Sequence, residues 1–337
     1  MKLLKRFRFW LGILVSLLFL VPTLRALNLG EVWAGIQEAS YGWLIPGVAV
    51  YFVAVLVRTW RWDYLLRPLK SIPVPSLFPV VVIGYMGNNL FPLRIGELLR
   101  AYVLRNQEGV AVSASLATVV VERIFDGLIM LLFVFVALPF TPVPGDAVRT
   151  TVVVGSIGFL AALLIFFLLA AVPEHAFRLA TWASNLFLPD RVGDPLLAFT
   201  RRFLDGLVSL RSWRSVLMIF FTSAIIWLLE TVKYWFVMHA FPFEVSFFAL
   251  MLMNGVVNLA TTLPSAPGYL GTFDGPGIAV LVLYGVAGET AAAYTLVLHA
   301  ALWLPITALG AFYMLRTRMS WSDFGQAAQL AEQEAAT

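Results

Sequence analysis

Residues 88–97 read NNLFPLRIGE, and residues 258–274 read NLATTLPSAPGYLGTFD. Both interrupt stretches that are otherwise apolar. Each carries asparagine, then a proline, three further residues and a glycine: Pro92 to Gly96, and Pro264 to Gly268. Proline removes a backbone donor and clashes with the preceding helical turn, so a helix breaks at each. Two breaks of matching spacing in one chain point to two copies of one element.

The surrounding composition says what that element is immersed in. Of 337 residues, 61% are hydrophobic and only 12% charged, against about 25% charged in soluble domains. The chain therefore reads as an all-α polytopic membrane protein, because lipid offers no partners to open backbone groups. The apolar runs are continuous rather than alternating, which argues against a β-barrel. With no cysteine, disulfides, thiolate metal sites and a cysteine nucleophile are excluded. The net charge of +4 is read as a signal of orientation, with no nucleic-acid partner. The opening MKLLKRFRFWLGILVSLLFLVPTL resembles a secretory signal, but its apolar run is long and lacks a small-x-small cleavage site, so a retained first span is expected.

Six apolar segments have spanning length: 9–27, 43–66, 111–138, 150–172, 214–240 and 290–315. Two more, 77–104 and 246–287, contain the broken motifs. Counting loop by loop, 19 of the 23 basic residues fall on one side, which the positive-inside rule makes cytoplasmic, with both termini there. Arg58 and Arg61, between Trp60 and Trp62, enter that count as an interfacial anchor. The count works if each broken stretch is a re-entrant hairpin, the first entering from the cytoplasm and the second from outside. The halves, about 9–138 and 150–315, then form an inverted repeat within one domain over 1–318, the plan of many secondary transporters. The alternative is that 246–263 and 270–287 are two ordinary helices joined by a turn. The loop 173–213 is read as holding an amphipathic helix, either at the headgroup surface or packed on the bundle. Residues 319–337 are a short polar tail.

Charges inside spans cost about 2.5–3.5 kcal/mol each on insertion scales and need a reason. The span 111–138 carries Glu122, Arg123 and Asp126. Glu122 and Asp126 share a helix face, and Arg123 is one turn from Asp126. Two acids and one base call for a further cation, and Arg94 or Arg100 of the first hairpin are nearest in sequence. Arg94, Glu97 and Arg100 form an alternating stripe. Asn89, Asn258 and Asp274, with Asn88, Asn254, Thr261, Thr262 and Ser265, add polar groups near the tips. These groups suit a polar cavity with arginines for an anionic headgroup; they also suit capping of broken helix ends. Glu230 and Lys233 read as a structural ion pair, and His175, His239 and His299 as scattered surface or core residues. No phosphate-binding P-loop, zinc-protease helix or serine-hydrolase elbow occurs, and no cofactor is implied.

The runs N-x-x-P-x-R-x-G-E-x-x-R, E-R-x-x-D and N-x(5)-P-x-x-x-G-x-x-G resemble the lysylphosphatidylglycerol synthase transmembrane region, or flippase-like domain, over about residues 8–317. The matching residues are Asn89, Pro92, Arg94, Gly96, Glu97 and Arg100; Glu122, Arg123 and Asp126; and Pro264, Gly268, Gly271 and Asp274. The last block departs from the family pattern, with Pro267 in a position that is often glycine and Asp274 where glutamate is common. In the best-known members this region precedes a cytosolic aminoacyl-transferase domain. Only a tail follows residue 318 here, so the resemblance implies the translocating part alone. It implies a lipid translocator of a bacterial or archaeal inner membrane, moving an anionic or zwitterionic phospholipid or a polyprenyl phosphate, with a homo-oligomer or an envelope-biosynthesis partner as expected company. A membrane enzyme acting on a lipid-linked phosphate, or a non-transporting partner subunit, are the competing expectations.

Overall fold

The structure, a computed structural model, describes residues 2–91, 95–141 and 213–317, with isolated positions between 150 and 197. Pro92 and Arg94, nearly all of the expected span 150–172 and loop 173–213, and the tail 319–337 lie outside the described residues.

All regular structure among the described residues is helical. In chain order the helices are α1 (Lys2–Arg25), α2 (Leu29–Glu38), α3 (Leu44–Leu66), α4 (Val74–Leu90), α5 (Ile95–Glu108), α6 (Val112–Ala137), α7 (Trp213–Met238), α8 (Phe247–Ala260), α9 (Asp274–Leu283) and α10 (Gly288–Arg316). Helices α3, α7 and α10 are long and apolar enough to cross a membrane. α6 has 26 residues but carries three charges. The segment 28–42, expected as a plain loop, instead forms α2, which is bent 90° from α1. Asn28 starts it by accepting the Gly30 N–H at 3.1 Å, which satisfies one orphan donor of the first turn.

The expected breaks are present. α4 and α5 have 17 and 14 residues, and α8 and α9 have 14 and 10. At 1.5 Å per residue, the last two reach only about 21 and 15 Å, short of an apolar core of about 30 Å. α4 and α5 run back along each other. Gly84 and Gly87 of α4 meet Gly96 of α5, and a methyl on Gly96 would collide with the Gly84 carbonyl and the Asn88 N–H. The second break holds a 3-10 turn, Pro267–Tyr269. Gly268, Tyr269 and Gly271 have φ of +71°, +59° and +81°, a region that side chains rarely adopt. The two P-x-x-x-G runs thus need their glycines for different reasons, close approach in the first and backbone conformation in the second.

Hydrogen bonds sort the helix ends into two levels. At one level, Ser40 N donates to the Ala240 carbonyl and Asn28 N to Glu289. At the other, Lys70 pairs with Glu108 at 2.8 Å, and Tyr64 meets Ser215 at 3.0 Å. Lys70 precedes α4 and Glu108 ends α5, so this helix pair begins and ends at one level. Between the levels the two breaks meet. Trp303 of α10 donates to the Asn89 carbonyl at the end of α4, and the same indole lies over Gly268. α1 closes the second break from the side: Ser16 Oγ accepts from Ala266 N at 2.8 Å.

Two apolar cores flank this centre. One is built from α6 to α10 with α2, the other from α3, α4, α5 and α10. Outward faces carry exposed Leu14, Leu18, Ile45, Val53, Leu56, Val136, Phe221, Ile225, Leu304 and Phe312. An apolar exterior around buried charges is that of an integral membrane protein.

Candidate functional site

Between the two cores lies a chain of ion pairs with alternating sign. It starts at Arg100 on α5, whose guanidinium is 3.1 Å from Glu122 on α6. Glu122 is 3.5 Å from Arg61 on α3. Arg61 grips Asp126 on α6 with two contacts, 2.7 and 3.3 Å, and donates to Ser223 on α7 at 2.5 Å. Arg58, one turn earlier on α3, lies 3.5 Å from Asp126 and 3.3 Å from Glu230 on α7. Glu230 in turn pairs closely with Lys233. All seven residues are buried, and Arg61 is fully so. Cations stand at both ends, and aromatic faces support three of them: Arg100 over Trp62 at 3.9 Å, Arg58 over Trp227 at 5.0 Å and Lys233 over Tyr51 at 4.5 Å.

Arg58 and Arg61 correct the sequence reading, which placed them at the membrane interface. Ala54, Arg58, Arg61 and Leu65 lie on one buried stripe of α3, facing α6 and α7. Only Trp60 points outward; Trp62 is buried and donates to Thr118 at 3.0 Å. Their three-residue spacing was a usable signal, because it coincides with the apolar stripe of the same helix. Proximity to the end of the span concealed it. The expected cation beside Glu122 is Arg100. Glu230 and Lys233 do pair, but within a larger network that Arg58 joins to α6.

Arg123 branches from this chain. It lies 3.4 Å from Asp126 and 3.5 Å from Glu97 on α5. Its side chain is 33% exposed and that of Glu97 21%, so this pair forms the accessible edge of an otherwise closed network. The Nε atoms of Arg58, Arg61 and Arg100 are buried and have no hydrogen-bond acceptor among the described residues. Buried guanidinium donors without acceptors are costly, and they match the acceptor-only oxygens of a phosphate.

The remaining residues singled out from the sequence sit apart. Asn89 donates to Thr307 on α10 at 2.8 Å. Asn258 donates to Asn254, which donates to Thr231 and to the Trp227 carbonyl; Trp227 itself donates to Asp126 at 3.2 Å. A polar path therefore runs from α8 to the ion-pair chain. Asp274 opens α9. One of its oxygens accepts the Gly271 N–H at 2.9 Å, and the other meets His299 Nδ1 at 2.8 Å. His299, read from the sequence as a scattered residue, is thus half of a buried pair. Gly268 and Gly271 lie within the second break and Pro264 precedes its 3-10 turn, whereas Gly96 is the second residue of α5.

Known proteins resemble this chain over most of its length. A family model described as the lysylphosphatidylglycerol synthase TM region matches residues 9–310. A UPF0104 membrane protein of Methanothermobacter thermautotrophicus is 26% identical over 84% of this chain and 87% of its own. Another, from Methanocaldococcus jannaschii, is 22% identical over 90% and 93%. The glycosyltransferase AglD of Haloferax volcanii is 25% identical over 78% of this chain but 47% of its own length.

Proposed function

We propose, from the premise that this integral membrane protein belongs to the lysylphosphatidylglycerol synthase TM region family, that it moves a phosphate-bearing lipid between leaflets. The observation that carries the reading is the ion-pair chain. Three buried guanidinium groups, those of Arg58, Arg61 and Arg100, retain unmatched donors, and among the described residues the network opens at Arg123 and Glu97. The described members, Arg58, Arg61, Arg100, Arg123 and Lys233 against Glu97, Glu122, Asp126 and Glu230, carry one surplus positive charge. A phosphate entering at Arg123 supplies acceptors to donors already in place, while the tails stay in lipid. The lipid is a phospholipid or a polyprenyl phosphate.

The packing supports an inverted repeat. α4 packs on α10 as α8 packs on α6, and α5 joins α4 to α6 as α9 joins α8 to α10, with α3 and α7 paired at the centre. Exchanging α3 with α7, α4 with α8, α5 with α9 and α6 with α10 leaves these neighbours unchanged. This arrangement suits the plan of six spans and two hairpins expected from the sequence. With the positive-inside count, the level with Lys70 and Glu108 is the cytoplasmic one in this reading, and the start of α1 and the end of α10 lie on that side.

The test is lipid movement in proteoliposomes, with fluorescent phospholipids and polyprenyl phosphates. The wild type accelerates exchange of one class, and Arg123→Ala and Glu97→Ala slow it by about tenfold or more, the effect of losing a charge-assisted contact. Unchanged movement in both variants overturns the site. The enzyme reading has one observation in its favour, the name of the Haloferax relative. Turnover of a lipid-linked phosphate in detergent, without two leaflets, would establish it instead.

A further inference from the structure

The second break contains a hydrogen-bond arrangement that holds together only with an added proton. His299 sits on α10 with Nε2 at 2.7 Å from the Gly268 carbonyl and Nδ1 at 2.8 Å from Asp274 Oδ1. A carbonyl only accepts, so Nε2 must carry a hydrogen to bond it. A neutral imidazole with hydrogen on Nε2 presents a lone pair at Nδ1. That lone pair faces a carboxylate oxygen, which also only accepts. Both contacts are hydrogen bonds only when one further proton lies in the Nδ1–Oδ1 contact, whether on the imidazole or on the carboxyl. Moving the ring hydrogen to Nδ1 restores the Asp274 bond but sets a lone pair against Gly268. Without the extra proton, one of the two bonds is lost under either tautomer.

The first half of the molecule has the counterpart, made differently. Arg100 of α5 binds Glu122 of α6, and Asp274 of α9 binds His299 of α10. In each case the returning limb of a broken pair is fastened to the helix that follows it, near the middle of that helix. The guanidinium of Arg100 keeps its charge at any pH relevant to a cell, so the first fastening is permanent. The second depends on a proton. Among the described residues of the elements packed against it there is no other permanent charge: α1 from Trp10 to Leu24, α4, α8, the break 261–273 and α9 contribute no Lys, Arg, Glu, His or second Asp. The other titratable groups on these elements are the phenols of Tyr85 and Tyr269, and on α10 Glu289, Tyr294, Tyr313 and Arg316 lie at least one turn from His299. Phe273 covers one face of the imidazole, with ring centres 4.4 Å apart.

We infer that Asp274 and His299 form a binding site for a single proton that fastens the second break to α10, and that loss of this proton releases Gly268–Thr272. For the translocation reading, on which this part rests, proton binding there is the step that couples the hairpin to a proton gradient. On release the N–H or O–H bond that holds the proton breaks and water takes the proton up; no bond between heavier atoms changes.

Amide hydrogen exchange on the full-length chain in nanodiscs tests this between about pH 5 and pH 9, the window in which histidine is the usual side chain to titrate. Exchange is corrected for its intrinsic pH dependence, and the α5 segment 95–104 serves as the internal reference. Protection of 266–273 is expected to fall about tenfold relative to α5 as pH rises, the effect of one buried hydrogen bond lost. Asp274→Asn supplies an N–H to Nδ1 without an added proton, so its protection should stay high at all pH. A flat wild-type profile overturns the site, as does an Asp274→Asn profile that follows the wild type. Should that variant not fold, the wild-type profile against α5 decides alone. Lipid movement is measured on the same samples. A titrating break without lipid movement sinks the translocation reading and leaves the proton site standing, whereas lipid movement with a flat profile does the reverse.

Discussion

Arg61 is the residue on which the central network turns. It is fully buried and touches Asp126, Glu122 and Ser223. Removing it takes the shortest ion pair from Asp126 and leaves Glu122 with Arg100 as its described cation. Breaking a buried pair from one side costs about 3–5 kcal/mol, whereas removing both partners is often far milder. Arg61→Ala is therefore expected to lose about 3–5 kcal/mol of stability, and Arg61→Ala with Asp126→Asn less than the sum of the two single changes. Denaturation of the three variants in detergent measures this, and strict additivity would deny the coupling. Part of this centre was legible beforehand. Glu122, Arg123 and Asp126 stand out because charge is costly in a span, and their own count demanded a partner. That Arg58 and Arg61 join them was not, because two arginines near a tryptophan at the end of a span have the same local signature as an interfacial anchor.

At the scale of elements, the breaks were visible from proline and glycine, but the work of each glycine was not. Gly96 is inside α5 and serves the contact with α4, where Gly84 and Gly87 leave room for it. Gly96→Ala puts a methyl against the Gly84 carbonyl. A cost of about 1–3 kcal/mol is expected, the usual range for overpacking, readable as a lower melting temperature. Gly84→Ala would drive its methyl into the Arg100 side chain and so should weaken the Arg100–Glu122 pair as well. The α2 helix was missed altogether. Its ten residues follow a 90° bend, and a short helix between two spans leaves little periodicity to read.

For the whole molecule, the two levels of helix ends make orientation testable. Gly42 has open space around it and Leu69 is half-exposed. The chain has no cysteine, so Gly42→Cys and Leu69→Cys each provide one thiol. In intact cells an impermeant thiol reagent is expected to label the first and spare the second, until the membrane is opened. The reverse pattern would invert the orientation derived from the basic loops. Three residues in that original count, Arg58, Arg61 and Arg100, are buried in the ion-pair chain and carry no topological information; the rest of the basic majority is unaffected.

The sequence by itself determined the medium, the helical class, the limits of the long helices α3, α6, α7 and α10, the two breaks and the family. Each of these is written in local composition: hydropathy over some 20 residues, proline against helix, and motifs at fixed spacing. Only the tertiary structure decided which charges meet. Arg61 and Asp126 are 65 positions apart, Arg58 and Glu230 172, and Asp274 and His299 25. A lone charge in an apolar segment announces that a partner exists, because desolvation must be offset. Which partner it is depends on the rotation and depth at which helices pack, and that is settled by the apolar faces around the charges.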